Sequence, residues 1–238
     1  RLILKNTLEL ERRKTIDENA LNDERLRFYT NITHELRTPL TLILGPLEDL
    51  VSDDKMPSVY KNKIKIIHES TLRLLNLINQ ILEFRKTETQ NRKLTVGIGN
   101  IGNLVMEIGL RYKELNRNEK VQFEIDVDKI SKDIYFDNEV ITTVLNNLLS
   151  NAVKYTPSGK ISLSLREVKE NDSDYVEVCV TDTGYGIDAE ALPHIFDRYY
   201  QAKGKHQASG TGIGLALVKS LSDLHEAVLT VESRQGVG

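Results

Sequence analysis

Phe28-Tyr-Thr-Asn-Ile-Thr-His-Glu-Leu-Arg-Thr-Pro-Leu-Thr41 sets a histidine, His34, against the apolar rhythm of its own stretch. At about 100° per residue of helix, Phe28, Ile32, Leu36, Ile43, Leu47 and Leu50 share one arc, and His34 points about 180° from its centre. The imidazole therefore faces solvent, with Glu35 beside it and Thr38 one turn on. An exposed, neutral imidazole is a reagent before it is a packing residue.

Residues 1 to about 51, which contain this stretch, read as one long helix. Its first part, Glu9 to Arg27, is highly charged with sparse apolar positions at Leu4, Leu8, Ile16, Leu21 and Leu26, the pattern of a connecting rod, and residues 1–22 are assigned as a linker helix. Pro39 and Pro46 each remove a helix hydrogen bond, yet the apolar period continues to Leu50, so the helix should bend there rather than stop. Ser52-Asp-Asp-Lys-Met-Pro-Ser58 is a turn, with Pro57 suited to the first position of a second helix. That helix runs to about Glu88, with Ile64, Ile67, Thr71, Leu74, Ile78 and Ile81 at spacings of three and four and Leu72, Leu75, Leu77 and Leu82 widening the apolar surface. One partner helix cannot cover so broad a face, and such a hairpin buries the excess by pairing with a second copy into a four-helix bundle. Residues 23–90 are thus expected to form a homodimeric helical hairpin.

From about residue 91 the period changes. Strands are expected near 93–97, 120–127, 133–136, 159–168, 174–181 and 227–233, with helices near 100–115, 137–154 and 212–225. Residues 91–238 then form an α/β sandwich, and the whole chain is α+β. Val121, Phe123, Ile125 and Val127 alternate with polar residues, as do Ile161, Leu163 and Leu165, so one sheet face is solvated or only partly covered. Cys179, the single cysteine, excludes an intramolecular disulfide and a cysteine metal cluster, and its strand setting suggests a buried thiol. The 32 basic and 35 acidic residues leave a formal charge of -3, without the basic excess of a nucleic-acid footprint. No apolar run approaches the ~18 residues of a membrane helix. The chain starts at Arg1 rather than methionine and stops at Gly236-Val-Gly238 directly after a strand pattern, so a larger parent protein is expected.

Within the second region, Asn146-Asn-Leu-Leu-Ser-Asn-Ala-Val-Lys-Tyr-Thr156 places Asn147 and Asn151 four apart on one helix face. Two neutral amide oxygens suit a magnesium ion held mainly by substrate phosphates, although two solvent-facing asparagines would show the same spacing. Asp182-Thr-Gly-Tyr-Gly-Ile187 comes after a strand, and Gly210-Thr-Gly-Ile-Gly-Leu215 opens a helix. Glycines and helix-start amides favour a phosphate chain, but a lone glycine pattern is also met in plain turns. It matches neither the dinucleotide fingerprint nor the P-loop, because no Lys-Ser or Lys-Thr comes after its last glycine. Between the two lie Ile195-Phe-Asp-Arg-Tyr-Tyr-Gln201 and the polar stretch Ala202 to Ser209, the pattern of a mobile lid.

Taken together, these segments resemble sensor histidine kinases of two-component systems. His34-Glu-Leu-Arg-Thr-Pro-Leu is similar to their H box, Asn147 to Asn151 to the N box, Asp182-Thr-Gly-Tyr-Gly to the first glycine box, Phe196-Asp-Arg-Tyr-Tyr to the F box and Gly210-Thr-Gly-Ile-Gly to the second glycine box. The order and spacing match over about residues 20 to 238, and the sequence around His34 resembles the hybrid two-component sensors of Bacteroides-type bacteria. The resemblance implies a dimeric four-helix bundle and then a Bergerat-type ATP-binding domain, with ATP and magnesium as cofactors.

It further implies His34 as phosphoacceptor, Glu35 as general base, and Thr38 as the residue that positions water when the partner is dephosphorylated. Asp182 would accept a hydrogen bond from the adenine amino group, with Gly184 and Gly186 giving base and ribose room. Asn151 is the implied main magnesium ligand, supported by Asn147, while Lys154 and Tyr155 match positions contacting phosphate and base or ribose. Gly210, Gly212 and Gly214 would cradle the phosphates, and Ile187, Phe196, Arg198, Thr211 and Leu215 complete the implied nucleotide site. A response-regulator receiver domain is the implied partner, and the parent would be an inner-membrane sensor with this portion on the cytoplasmic side.

His68, His194, His206 and His225 match no motif and are expected on the surface or lid. Gln201 stands where many members carry an arginine that can reach the γ-phosphate, so either Arg198 or Lys203 takes that role or the phosphate clamp is weaker. The family's sheet usually has one more strand after the equivalent of Gly236-Val-Gly238, and an unpaired sheet edge is a liability. Two rival readings, an ATPase of the gyrase, chaperone or mismatch-repair kind and a non-catalytic dimerisation module, fit less well. The first uses a glutamate on the N-box helix where Asn147 stands, with Glu139 too early; the second would not need Asn151, Asp182 and both glycine boxes.

Overall fold

The computed structural model describes residues 31–53, 56–88, 93–130, 134–170, 173–201 and 212–238. The expected linker helix over 1–22, Phe28, and the lid stretch with Lys203, His206, Gly210 and Thr211 lie outside them. Two compact units divide between Arg92 and Lys93.

The first unit is a helical hairpin. Helix α1 is continuous over 31–52, through both Pro39 and Pro46, and α2 spans Ser58–Glu88. Pro57 lies just outside α2, its carbonyl accepting from the amides of Tyr60 (2.9 Å) and Lys61 (3.2 Å). It therefore caps the helix instead of occupying its first position. Threonine hydroxyls bond back along α1, from Thr38 to the His34 carbonyl (3.1 Å) and from Thr41 to that of Arg37 (3.0 Å).

The hairpin buries a different α1 face from the arc that the apolar residues alone define. Thr33, Leu40, Leu44 and Leu47 are buried and Arg37 is half-buried, with its guanidinium donating to Asn79 Oδ1 on α2 (2.7 Å). Ile32, Leu36, Ile43 and Leu50 remain 37–47% exposed. On α2, Ile64, His68, Thr71, Leu75, Ile78 and Leu82 are buried or half-buried at spacings of four and three, and toward the helix end Leu77, Ile81 and Phe84 are covered as well, while Ile67 and Leu74 are exposed. His68 is accordingly not a surface residue: it occupies the hairpin seam, and its Nε2 is buried. Apolar periodicity identifies the sum of all faces to be covered; only the geometry of the hairpin selects which one the neighbouring helix covers.

The second unit begins with β1 (Gly97–Gly99), a shorter strand and later in the chain than the expected 93–97, and α3 (Ile101–Leu115). Then come β2 (Val121–Val127), β3 (Ile134–Phe136), α4 (Asn138–Tyr155), β4 (Gly159–Glu170), β5 (Ser173–Asp182), a single 3₁₀ turn at Leu192–His194 and α5 (Gly214–Leu224). Strands β2, β4 and β5 form one sheet, parallel between β2 and β4 and antiparallel between β4 and β5; β1 and β3 pair antiparallel. The core joins Val105 and Ile108 of α3 and Leu145 and Leu149 of α4 to Phe123, Ile161, Leu163 and Leu165 of the sheet, with α5 packed on α4 through a face containing Leu217, Val218 and Leu221.

The opposite sheet face is polar, as alternation requires: Arg166 pairs with Asp126 and Asp128, and Lys160 with Glu124. Cys179 lies on that face and is exposed, 3.4 Å from the Thr181 hydroxyl, correcting the expectation of a buried thiol. The strand alternates, so Val176, Val178 and Val180 turn to the core and Cys179 must turn away.

Residues 227–233 are irregular, against the expected strand. Their neighbourhood spends its backbone bonds on loops: Ala227 N–H on the Ser222 carbonyl, Gly236 N–H on that of Tyr185, and Arg234 N–H on that of Gly238. Apolar alternation marks a segment able to join a sheet, but a strand exists only with a ladder neighbour.

The end of α5 carries a residue type against its own geometry. Ala227 N–H bonds the Ser222 carbonyl (2.8 Å) and Glu226 N–H that of Asp223 (3.1 Å), the paired closure of a helix C-terminus, which puts Glu226 at φ 56. This is the position where glycine carries no Cβ penalty. Glu226→Gly is expected to stabilise the unit by about 0.5–1 kcal/mol, read as a rise in melting temperature, because relief of left-handed strain exceeds the added chain entropy.

Candidate functional site

Helix α4 starts from Asp137, whose carboxylate accepts from Val140 N–H (3.0 Å), and buries Val140, Leu145, Leu149 and Ala152. Asn147 and Asn151 lie off that apolar stripe, both half-buried. Asn147 Nδ2 donates to the Thr143 carbonyl (2.8 Å), which turns Oδ1 toward α5: a Cβ on Gly214 would stand 2.9 Å from it. The Asn151 side chain makes no hydrogen bond to a described residue. In the last turn Lys154 Nζ lies 3.0 Å from the Tyr155 hydroxyl.

Beyond the helix end, the backbone folds onto the first glycine segment. Asp182, the last residue of β5, uses one carboxylate oxygen, Oδ1, to accept from Gly184 N–H (2.8 Å) and from the Thr156 hydroxyl (3.3 Å). Tyr185 N–H donates to the Tyr155 carbonyl (3.2 Å). Gly184 is buried, and a Cβ there would come within 2.3 Å of the Tyr155 carbonyl oxygen, 2.7 Å of Asp182 Oδ1 and 2.9 Å of Thr156 Oγ1. Only glycine allows that approach. Gly186 faces the Arg234 carbonyl of the C-terminal segment, and Ile187 N–H donates to Ser233 Oγ (2.8 Å).

Thr156 carries no expected role from sequence, yet it is 1% exposed and fixes Asp182. Its signal was its place: a hydroxyl one residue beyond the helix, where side chains commonly satisfy free backbone or carboxylate groups.

Phe196 is half-buried and Arg198 exposed after the 3₁₀ turn, and Tyr199 N–H bonds the Gly212 carbonyl (2.9 Å), joining the F-box segment to the glycines that precede α5. Leu215 is half-buried in the first turn of α5. The structure thus brings Asn147, Gly212, Gly214 and Leu215 to one end of the α4–α5 pair, and Tyr155, Thr156, Asp182 and Gly184 to the adjoining end of the sheet. Among the described residues no group of three or more His, Cys, Asp or Glu is placed to hold a metal.

In the hairpin unit His34, Glu35 and Thr38 are all exposed on α1. The imidazole is turned about 100° from the face that packs on α2, as helical geometry requires of a residue next to the buried Thr33.

A family model for the His Kinase A (phospho-acceptor) domain matches residues 24–90, and the one for the histidine kinase-, DNA gyrase B- and HSP90-like ATPases matches residues 136–238. The chain belongs to the sensor histidine kinases. It is 34% identical over 99% of its length to histidine kinase P4 of Formosa agariphila and 31% identical over 90% to hybrid signal transduction histidine kinase D of Dictyostelium discoideum. It spans 17% and 14% of those proteins, a small part of each. A crystal structure of full-length ShkA in complex with AMPPNP matches 83% of this histidine-kinase core at a TM-score of 0.66 and 26% identity, over 41% of that chain. The α+β reading, a helical region and then an α/β ATP-binding domain, agrees with these matches. No helix among the described residues is long and apolar enough to cross a membrane.

Proposed function

We propose that this histidine-kinase core transfers the γ-phosphoryl group of ATP to His34 and then passes it to an aspartate on a receiver domain. The observation that carries this is the pairing, in one chain, of an exposed helical histidine in a phospho-acceptor domain with a separate ATPase-type unit whose Asp182 is held by Gly184 and Thr156. The reaction is one of positioning: the lone pair of one imidazole nitrogen attacks phosphorus in line, the bond to the ADP oxygen breaks, and Glu35 takes the proton from the other ring nitrogen.

Asp182 Oδ1 is already committed to the protein, which leaves Oδ2 to accept from the adenine amino group. A guanine would present an oxygen there and be rejected. Gly212 and Gly214 let the phosphates approach the start of α5, and Lys154 adds positive charge at the far end of α4. The donor set fits magnesium, because the Asn151 side chain has no hydrogen-bond partner among the described residues and the hydrogen bond from Asn147 Nδ2 to the Thr143 carbonyl turns its Oδ1 toward the start of α5, where the phosphates would approach. These two residues would hold it together with substrate phosphates, and when bound the ion neutralises charge on the transferring group.

Thr38 donates to the carbonyl of His34 in the resting helix, so a role in orienting water for receiver dephosphorylation requires the hydroxyl to rotate away from it. The exposed Ile32, Leu36, Ile43 and Leu50 on α1, with Ile67 and Leu74 on α2, supply the face by which two hairpins pair into a four-helix bundle. A hybrid parent carrying its own receiver domain, anchored in a membrane, is the fuller form of this reading. Incubation with γ-labelled ATP and magnesium should give a label that acid releases and base does not, as a phosphoramidate behaves; an acid-stable label or ATP hydrolysis alone would contradict it.

A further inference from the structure

Asp137 is 4% exposed and belongs to none of the kinase motifs, yet three parts of the ATP-binding unit meet at it. Its Oδ1 accepts from Val140 N–H (3.0 Å) as the cap of α4. Its Oδ2 accepts from Thr95 N–H (2.7 Å), and its own N–H donates to His225 Nε2 (3.1 Å), the residue that closes α5. With Nε2 as acceptor, the His225 ring carries its hydrogen on Nδ1.

The contact with Thr95 has a specific cause. Strand β1 pairs with β3 at Gly97↔Phe136, so two residues further out Thr95 would face Asn138. Asn138 is already helical, the ladder cannot continue, and the Asp137 carboxylate supplies the missing acceptor. Thr95 is the third residue of the second unit, at the point where the chain enters it from the hairpin.

At the other end of the same helix pair, the backbone of Gly214 comes so near Asn147 that a Cβ would lie 2.9 Å from its amide oxygen. Helices α4 and α5 are therefore tied at the Asp137–His225 end and in close approach at the nucleotide end, about 15 Å along α4 at 1.5 Å per residue. We propose that Asp137 is a positioning residue: it clamps the entering chain at Thr95 to the helix pair that carries Asn147, Asn151 and Gly214. The nucleotide site then moves as one body with the chain segment that delivers it to His34. This rests on the kinase reading above for its effect on rate, while the clamp itself does not.

Asp137→Asn separates the clamp from the cap. An amide Oδ1 still accepts from Val140 N–H, but an Nδ2 donor now faces the Thr95 donor. In the full chain, three measurements are compared: amide exchange across residues 93–99 and 138–155, equilibrium binding of a fluorescent ATP analogue, and the autophosphorylation rate at saturating ATP. For Asp137→Asn we expect faster exchange at 93–99 with α4 still protected, analogue affinity within about twofold, and a rate at least about tenfold lower, the scale of a small misplacement of reacting groups. His225→Gln, whose amide oxygen can accept from Asp137 N–H, should keep the wild-type rate where His225→Leu does not. Unchanged exchange at 93–99 would overturn the clamp, and a rate that falls only in proportion to affinity would overturn the positioning role. If the wild-type chain took up no label, the kinase reading would fail, while the exchange data would still decide the clamp.

Discussion

His34→Gln is expected to abolish the acid-labile label while leaving nucleotide binding unchanged. Glutamine keeps the helix and much of the volume but offers an amide nitrogen whose lone pair is delocalised, so it cannot attack phosphorus. The residue is exposed on α1 and buries no apolar surface, and the substitution should shift stability by less than about 0.5 kcal/mol. Its position in a different compact unit from Asp182 and Asn151 means that a fluorescent ATP analogue should bind with wild-type affinity. Label persisting in the variant would place the acceptor elsewhere.

Gly184→Ala should have the second-largest effect, by another route. The added methyl would lie 2.3 Å from the Tyr155 carbonyl oxygen, well inside contact distance, and 2.7 Å from Asp182 Oδ1. Neither atom is the loose end of a flexible side chain: the carbonyl closes α4 against Tyr185 N–H, and Oδ1 is bonded to Gly184 N–H and Thr156. Relief requires the backbone to move, at a cost of about 1–3 kcal/mol by comparison with overpacked interiors. The shift would displace Asp182, so analogue affinity should fall about tenfold or more, since each 1.4 kcal/mol is a factor of ten. Calorimetry and titration on the same sample separate the two losses. An affinity within twofold of wild type would show that the Asp182–Gly184–Thr156 contact does not shape the adenine site.

Several elements were legible because their cause is local. Helices α3 and α4 begin within a residue of their expected starts, since Asn100 and Asp137 are capping side chains that announce a helix without reference to anything distant. The exposure of His34 was expected from its helical phase, and a single cysteine leaves no intramolecular disulfide by count alone.

Other features depend on a neighbour, and the chain by itself could not name it. Apolar residues on α1 occupy more than one face; the hairpin covers Leu40, Leu44 and Leu47 and leaves Ile32, Leu36, Ile43 and Leu50 exposed, because α2 can cover only one of them. Cys179 was expected inside, but the register of β5 on β4 sends Val178 and Val180 to the core and the thiol outward. Residues 227–233 carry a strand pattern and have no ladder, and His68 and His225, which match no motif, prove to sit in a helical seam and at a helix junction. Phase, caps and residue chemistry belong to the chain and were decided by it; burial, pairing and the meeting of Thr95, Asp137 and His225 are relations between segments distant in sequence, and only tertiary packing decides them.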